Sequence, residues 1–326
     1  MINTASTSRP QRNEDSWRDT SVSFRLGCVR ALRKRLANEC AETARVLADG
    51  RPPEEFLAAQ LIPFLDGCKF LEKQASKILA SRKFHGGPLW LWGVTHEIRR
   101  EPYGTILIIG PSNYPFFLPG IQAMQALVAG NHVLIKPGTG GSRSAHFLRH
   151  TLVDAGFPAE AIEVLDESAE AAREAIERGV EKIILTGSAE TGEAVLAQAA
   201  QHLTPCTMEL SGCDSVFVLP DADLKLAAHA VAYGLRLNGG RTCIAPRRVI
   251  VWREVAGVFE QELRNYSIAT LIADPSDHEF GSSGISIHRV NGARDAIAEH
   301  ERSPYRLGAS IFTTNPQSAQ ELVERI

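Results

Sequence analysis

Between Glu101 and Lys136 the chain carries no Asp, Glu, Lys or Arg. A stretch without charge belongs either in lipid or in the interior of a sizeable protein. Pro111, Pro115 and Pro119, with Gly104, Gly110 and Gly120, interrupt it too often for a helix facing lipid. The segment is read instead as a buried strand, a loop and a buried helix, and no membrane partner is expected.

The rest of the composition agrees with a large water-soluble core. With 326 residues and 44% hydrophobic content, the chain is long enough for two domains, since one core rarely grows past about 250–300 residues. A formal charge of −3 leaves no electrostatic footprint for nucleic acid or an anionic surface. The basic run Arg30 to Arg35 falls in helical periodicity and reads as a solvated helix face. Six cysteines (Cys28, Cys40, Cys68, Cys206, Cys213 and Cys243) lack CxxC spacing, so neither a zinc ribbon nor a redox pair is encoded, and a cytoplasmic setting is expected. Residues 1–16, rich in Ser, Thr, Asn and Arg, contain no apolar core of a secretory signal and read as a disordered tail. His146 and His150 stand four apart without the intervening Glu of a zinc protease, and no metal is expected.

Apolar residues recur at helical spacing over 17–49 and 53–80, separated by Gly50-Arg51-Pro52-Pro53. Leu89-Trp90-Leu91-Trp92 and Thr95 to Arg99 suggest a short hairpin about Gly93. Strands are then expected at 105–109, 132–135, 161–165, 182–185, 206–210 and 215–218, and helices at 115–129, 142–155, 170–178 and 190–201. Short apolar strands alternating with helices predict an α/β fold, a doubly wound, Rossmann-like parallel sheet with N-terminal helices. The domain expectation is 17–210 for helices and dinucleotide-binding sheet, and 211–326 for a second, incomplete α/β catalytic domain.

No strand-to-helix turn reads GxGxxG; in the nearest, Gly138-Thr139-Gly140-Gly141-Ser142-Arg143, arginine replaces the third glycine. Two strand ends still suit a phosphate-bearing ligand. Leu185-Thr186-Gly187-Ser188 leads into a helix whose first N–H groups can meet a pyrophosphate, though Ser188 reads equally well as a plain N-cap. Lys136 ends another strand, where its stem can also simply snorkel. Cys243, in Asn238-Gly239-Gly240-Arg241-Thr242-Cys243, lies on backbone suited to close approach. Glu209 is a lone carboxylate closing an apolar strand, either a base or half of an ion pair.

Five segments in order, Ile109 to Pro115, Leu134 to Pro137, Leu185 to Ser188, Glu209 to Gly212 and Asn238 to Cys243, resemble the aldehyde dehydrogenase superfamily. The resemblance runs from about Arg18 onward, with Ser303 to Thr313 matching a late segment. It implies NAD- or NADP-dependent oxidation of an aldehyde to a carboxylic acid. Cys243 is similar to the nucleophile that forms a thiohemiacetal and then a thioester, and Asn113 to the amide that steadies the oxyanion. Glu209 corresponds to the base that activates water, which favours hydrolysis over transfer to coenzyme A. Lys136 is similar to the lysine at the adenosine ribose; Gly187, Ser188, Pro111 and Ser112 fall in the cofactor-binding segments.

Departures from the family pattern shape three further expectations. Arg241 stands where the family commonly has Gln. Lys136-Pro137-Gly138-Thr139 lacks the acid that grips the ribose hydroxyls in NAD-preferring members, which predicts tolerance of NADP. His278-Glu279-Phe280-Gly281-Ser282 follows Cys243 within forty residues, with His where a Glu is usual, so a shortened catalytic domain and truncated end are expected. Without the usual oligomerisation strand, a homo-oligomer remains open. The alternative function is a catalytically impaired dinucleotide-binding or interaction protein from the same family.

Overall fold

Apolar residues spaced three and four apart between Trp17 and Leu79 fold into a succession of helices: α1 (Asp15–Arg18), α2 (Val22–Asn38), α3 (Cys40–Leu47), α4 (Pro53–Phe56) and α5 (Ile62–Leu79). One turn of π-helix, Leu57–Leu61, joins α4 to α5. In this computed structural model residues 15–85, 88–266, 269–270, 284–305 and 307–326 are described. The chain forms two compact units, residues 1–209 and 210–326.

The helical spacing over 17–49 is divided among helices, because Glu39 leaves helical geometry at φ −99° and ψ 18° and closes α2. Ser21 opens that helix by accepting a hydrogen bond from the Phe24 N–H at 3.2 Å. Val29, Leu32 and Leu36 bury one face of α2. The basic run on its other side is more than a solvated face. Arg30 and Arg33 both pair with Glu72 of α5, whose carboxyl is held below the usual range by Arg33 first and Arg30 second. Residues 1–14 of the expected tail lie outside the described residues, while residues 15 and 16 belong to α1. Trp17 is buried there, its indole N–H donating to the Leu127 carbonyl at 3.1 Å.

The hairpin exists with different strands. β1 (Arg82–His85) pairs antiparallel with β2 (Thr95–Ile98), and Leu89–Leu91 form a 3-10 turn instead of a strand. Leu89, Trp90 and Trp92 are 84%, 83% and 86% exposed. An apolar run with no sheet to face gains nothing from extending.

From Thr105 onward strand and helix alternate: β3 (Thr105–Ile109), α6 (Phe117–Val128), β4 (His132–Lys136), α7 (Ser142–Asp154), β5 (Ile162–Val164), α8 (Ala169–Arg178), β6 (Lys182–Gly187), α9 (Ala189–His202) and β7 (Cys206–Leu210). The strand order is β5-β4-β3-β6-β7, with β3 parallel to both β4 and β6 and β4 parallel to β5. Every residue of β3 is buried, as expected of a strand covered on both faces. The chain adds β4 and β5 outward from β3, then returns to place β6 on its other side. In open α/β sheets, ligands bind outside the carboxyl ends of strands at such a reversal.

Of the six expected strands, five form this first sheet and β8 (Ser215–Val218) begins a second. There follow α10 (Leu224–Arg236), β9 (Arg248–Trp252), α11 (Arg253–Arg264), β10 (Ala269–Thr270), β11 (Gly284–Val290), α12 (Ala293–Glu301), β12 (Ala309–Phe312) and α13 (Pro316–Val323). The order is β10-β11-β9-β8-β12, again parallel. Alternate residues face opposite layers. Val216, Val218, Val249 and Val251 pack with Val231, Phe259 and Leu263. Phe217, Ile250 and Trp252 pack with Val290, Ala296 and Leu322. The segment His278 to Ser282 lies outside the described residues.

No helix among the described residues is long and apolar enough to cross a membrane. Nor do three His, Cys, Asp or Glu side chains gather there to hold a metal ion.

Candidate functional site

Within the first unit, three adjacent parallel strands end together, and most of the expected site residues stand at those ends. Ile109 pairs in register with Lys136 on one side and Leu185 on the other. The strand ends and the turns after them carry Pro111-Ser112-Asn113, Lys136 and Gly187-Ser188. Pro111 is buried, Ser112 exposed and Asn113 half-buried. The turns after β3 and β4 touch through backbone. The Gly110 N–H donates to the Lys136 carbonyl at 2.9 Å, and a Cβ at Gly138 would come within 2.4 Å of the Pro111 carbonyl carbon and 2.5 Å of the Ser112 nitrogen. Only glycine fits there without moving the loop that presents Asn113.

At the third strand end Ser188 does cap α9, its hydroxyl oxygen accepting from the Thr191 N–H at 3.2 Å. Beside it, a Cβ built on Gly187 would meet only Leu185 Cδ2, at 3.7 Å. A helix start with half-buried Lys136 two strands away is a place where an anionic group fits. Burial pushes the Lys136 ammonium below its ordinary pKa, while Glu167 and Asp166 oppose that shift.

Glu167 is a residue that sequence reasoning missed. It follows β5, far from Lys136 in the chain, and its Oε2 accepts from the Gly140 N–H at 2.9 Å and the Ser142 hydroxyl at 3.3 Å. The carboxylate absent from the lysine segment is thus supplied nearby from another loop. Gln60 was missed as well. It is 1% exposed, and its Oε1 accepts from the N–H groups of Phe116 and Phe117 at 3.0 and 3.3 Å, anchoring the start of α6 behind the Asn113 loop. A lone Gln inside Leu57 to Phe64 was the available signal, because a buried amide needs partners.

Glu209 occupies edge strand β7 and is exposed. The burial cost anticipated for it does not arise, because an edge strand leaves alternate side chains in water.

In the second unit Cys243 is half-buried and follows a loop of unusual backbone. Asn238, Gly239 and Gly240 have φ of +55°, +61° and +75°. Asn238 is a non-glycine in left-handed geometry and is 1% exposed, a strain that persists only where surroundings enforce it. They do so by short ties: the Thr242 hydroxyl donates to the Leu237 carbonyl at 3.2 Å, and the Ala245 N–H to the Thr242 carbonyl at 3.0 Å. Pro246 lies so close to α10 that a Cβ on Gly234 would stand 2.8 Å from its Cδ. Arg247 donates to the Gly240 carbonyl. Burial lowers its pKa, and the Cys213 and Cys243 sulfurs oppose this. Burial raises the Cys213 thiol.

The sequence description of the Aldehyde dehydrogenase family matches residues 3–283. A 4,4'-diapolycopene aldehyde oxidase of Methylomonas sp is 32% identical over 238 residues, covering 72% of this chain and 45% of its own length. A 4,4'-diaponeurosporen-aldehyde dehydrogenase of Staphylococcus aureus is 31% identical over 236 residues, covering 72% and 51%. The chain spans about half the length of these curated relatives. Among solved structures, a Mycobacterium tuberculosis aldehyde dehydrogenase complexed with NAD+ superposes with a TM-score of 0.83 at 20% identity, over 95% of this chain and 77% of that one. The substrate-bound state of Staphylococcus aureus AldH gives 0.84 at 22%, over 94% and 79%. These two likenesses establish a shared fold.

Proposed function

Because the chain belongs to the aldehyde dehydrogenase family, we propose that it oxidises an aldehyde to the carboxylic acid with NAD or NADP, using Cys243 as nucleophile. The observation that carries this reading is the gathering of Pro111-Ser112-Asn113, Lys136 and Gly187-Ser188 at three neighbouring strand ends beside a topological reversal. Gly187 at the start of α9 suits a pyrophosphate, and Lys136 suits the ribose end. When bound, the nicotinamide supplies a hydride acceptor.

The chain's own residues do the rest. The Cys243 sulfur attacks the aldehyde carbon, and the Asn113 amide with the Cys243 N–H steadies the oxygen that gains charge. Glu209, solvated on its edge strand, takes a proton from the water that releases the acid from the Cys243 thioester. The six free cysteines support a reducing, cytoplasmic setting. Relatives named for diapolycopene, succinate semialdehyde and betaine aldehyde define the substrates to try, from a long apolar polyene to small polar aldehydes.

The test follows NAD(P)H formation with that panel, together with dinucleotide binding by calorimetry. Wild type should turn over at least one aldehyde, Cys243→Ala none, and Asn113→Ala about 10²–10³-fold more slowly. Cofactor binding should survive in both variants. A wild-type chain that binds dinucleotide yet oxidises nothing in the panel would transfer the assignment to the impaired, dinucleotide-binding alternative.

A further inference from the structure

The loop before Cys243 holds three consecutive left-handed residues, and such a loop needs an external clamp. Arg247 is placed to be one. It is half-buried on the approach to β9, its guanidinium donates to the Gly240 carbonyl at the end of the left-handed run, and its own backbone is fixed at both ends. The Arg247 N–H donates to the Ala245 carbonyl and the Ser286 N–H donates to the Arg247 carbonyl, each at 2.8 Å. The same guanidinium bears on the sulfurs of Cys243 and Cys213. We propose that Arg247 is a positioning residue for the nucleophile, clamping the loop through Gly240 and holding a half-buried positive charge on the loop that leads to Cys243, where it favours the thiolate. This deepens the dehydrogenase reading and rests on Cys243 being its nucleophile.

The physical basis is direct. A guanidinium stays charged under all ordinary conditions, and a thiol next to a cation ionises more readily. Other ionisable groups of the unit enter the same balance. Arg241 precedes Cys243 by two residues, and Arg248 and Asp214 bear on Cys213. Arg247 is both tied to the loop backbone and coupled to each sulfur.

Alkylation by iodoacetamide tests this without cofactor or substrate. Using the full chain, the rate of Cys243 modification is followed by peptide mass spectrometry from acid to alkaline pH in wild type, Arg247→Gln and Arg247→Lys. The expected result is a midpoint raised by about one pH unit in R247Q, with rates below the midpoint falling roughly tenfold. R247K, which keeps the charge, should return the midpoint to near the wild-type value. If R247Q scales the rate equally at every pH, or if R247K shifts as far as R247Q, the charge role is overturned. Should R247Q fail to fold, the proposal is tested by R247K against R241Q, where a midpoint moved only by R241Q overturns it. Alkylation and turnover fail separately. An unshifted midpoint in an active enzyme removes this inference alone, and an inactive chain with a shifted midpoint removes only the dehydrogenase reading.

Discussion

The strand ends of the first sheet and the core of the second unit hold their loops by different means. In the first unit the turns after β3 and β4 are fixed by backbone contact across Gly138, and β3 is buried along its whole length against an apolar core. In the second, a charged side chain runs through the core. Arg248 is 1% exposed and donates to the Glu299 carbonyl at 2.6 Å, the Glu299 carboxylate at 3.2 Å, the Ser215 hydroxyl at 3.3 Å and the His300 carbonyl at 3.4 Å. His288 joins through Glu299 at 2.9 Å and His300 through Ser215 at 3.0 Å. Apolar packing tolerates small losses, whereas a buried polar network leaves charges and carbonyls stranded when one member goes.

The largest expected effect breaks that network. Arg248→Met should cost about 3–5 kcal/mol, because Glu299 and two carbonyls lose a buried partner. Ile108→Val in the first sheet should cost about 0.5–1.5 kcal/mol. Denaturant titration of the full chain measures both. Equal costs would erase the contrast between the units.

A second effect comes from Asp214, which is 7% exposed and accepts from the Gly308 N–H at 3.0 Å. Burial raises its pKa from 3.8 to about 6, with the Gly308 hydrogen bond opposing. Near pH 3 both folded and unfolded states are protonated. As pH rises through the window from 3.8 to about 6, the unfolded carboxyl ionises first and the folded state loses ground. Above that window the loss is complete, on the order of 2–3 kcal/mol at about 1.4 per unit. Asp214→Asn escapes this penalty. It should be more stable than wild type at pH 7.5 by about that amount and close to it at pH 3.5, as read by denaturant midpoints. A difference independent of pH would show that the carboxyl ionises equally well in both states.

The same division governs what could be read from the sequence. The strands from β3 to β8 and the helices from α6 to α9 were legible to within one or two residues, since periodicity and a cap such as Ser188 are local, whereas β9, β11 and β12 and their helices were not anticipated. So were the turns bearing Pro111 to Asn113, Lys136 and Gly187, because glycine and proline mark where backbone must bend. What was illegible joins residues far apart: Gln60 with Phe116, Arg248 with Glu299, and Glu167 with Gly140. Leu89 to Trp92 misled for the opposite reason. Its apolar residues suit a strand, but they form the turn between β1 and β2, where Leu89, Trp90 and Trp92 stand exposed.

The smallest expected effect concerns Glu167 and bears on the expected tolerance of NADP. That expectation rested on the lack of an acid in Lys136 to Thr139, yet Glu167 brings one within electrostatic reach of Lys136. If Lys136 marks the ribose, a carboxylate there repels a 2′-phosphate and accepts from ribose hydroxyls, favouring NAD. Glu167→Gln keeps an acceptor for the Gly140 N–H and removes only the charge. Its NADP affinity should rise about tenfold relative to NAD, equivalent to about 1.4 kcal/mol, in calorimetric titrations of the full chain with each dinucleotide. An unchanged ratio would mean that this carboxylate serves the Gly140 turn alone. In that outcome Glu167 would act only as a hydrogen-bond acceptor, as Gln60 does behind the Asn113 loop, in contrast to the charged network around Arg248.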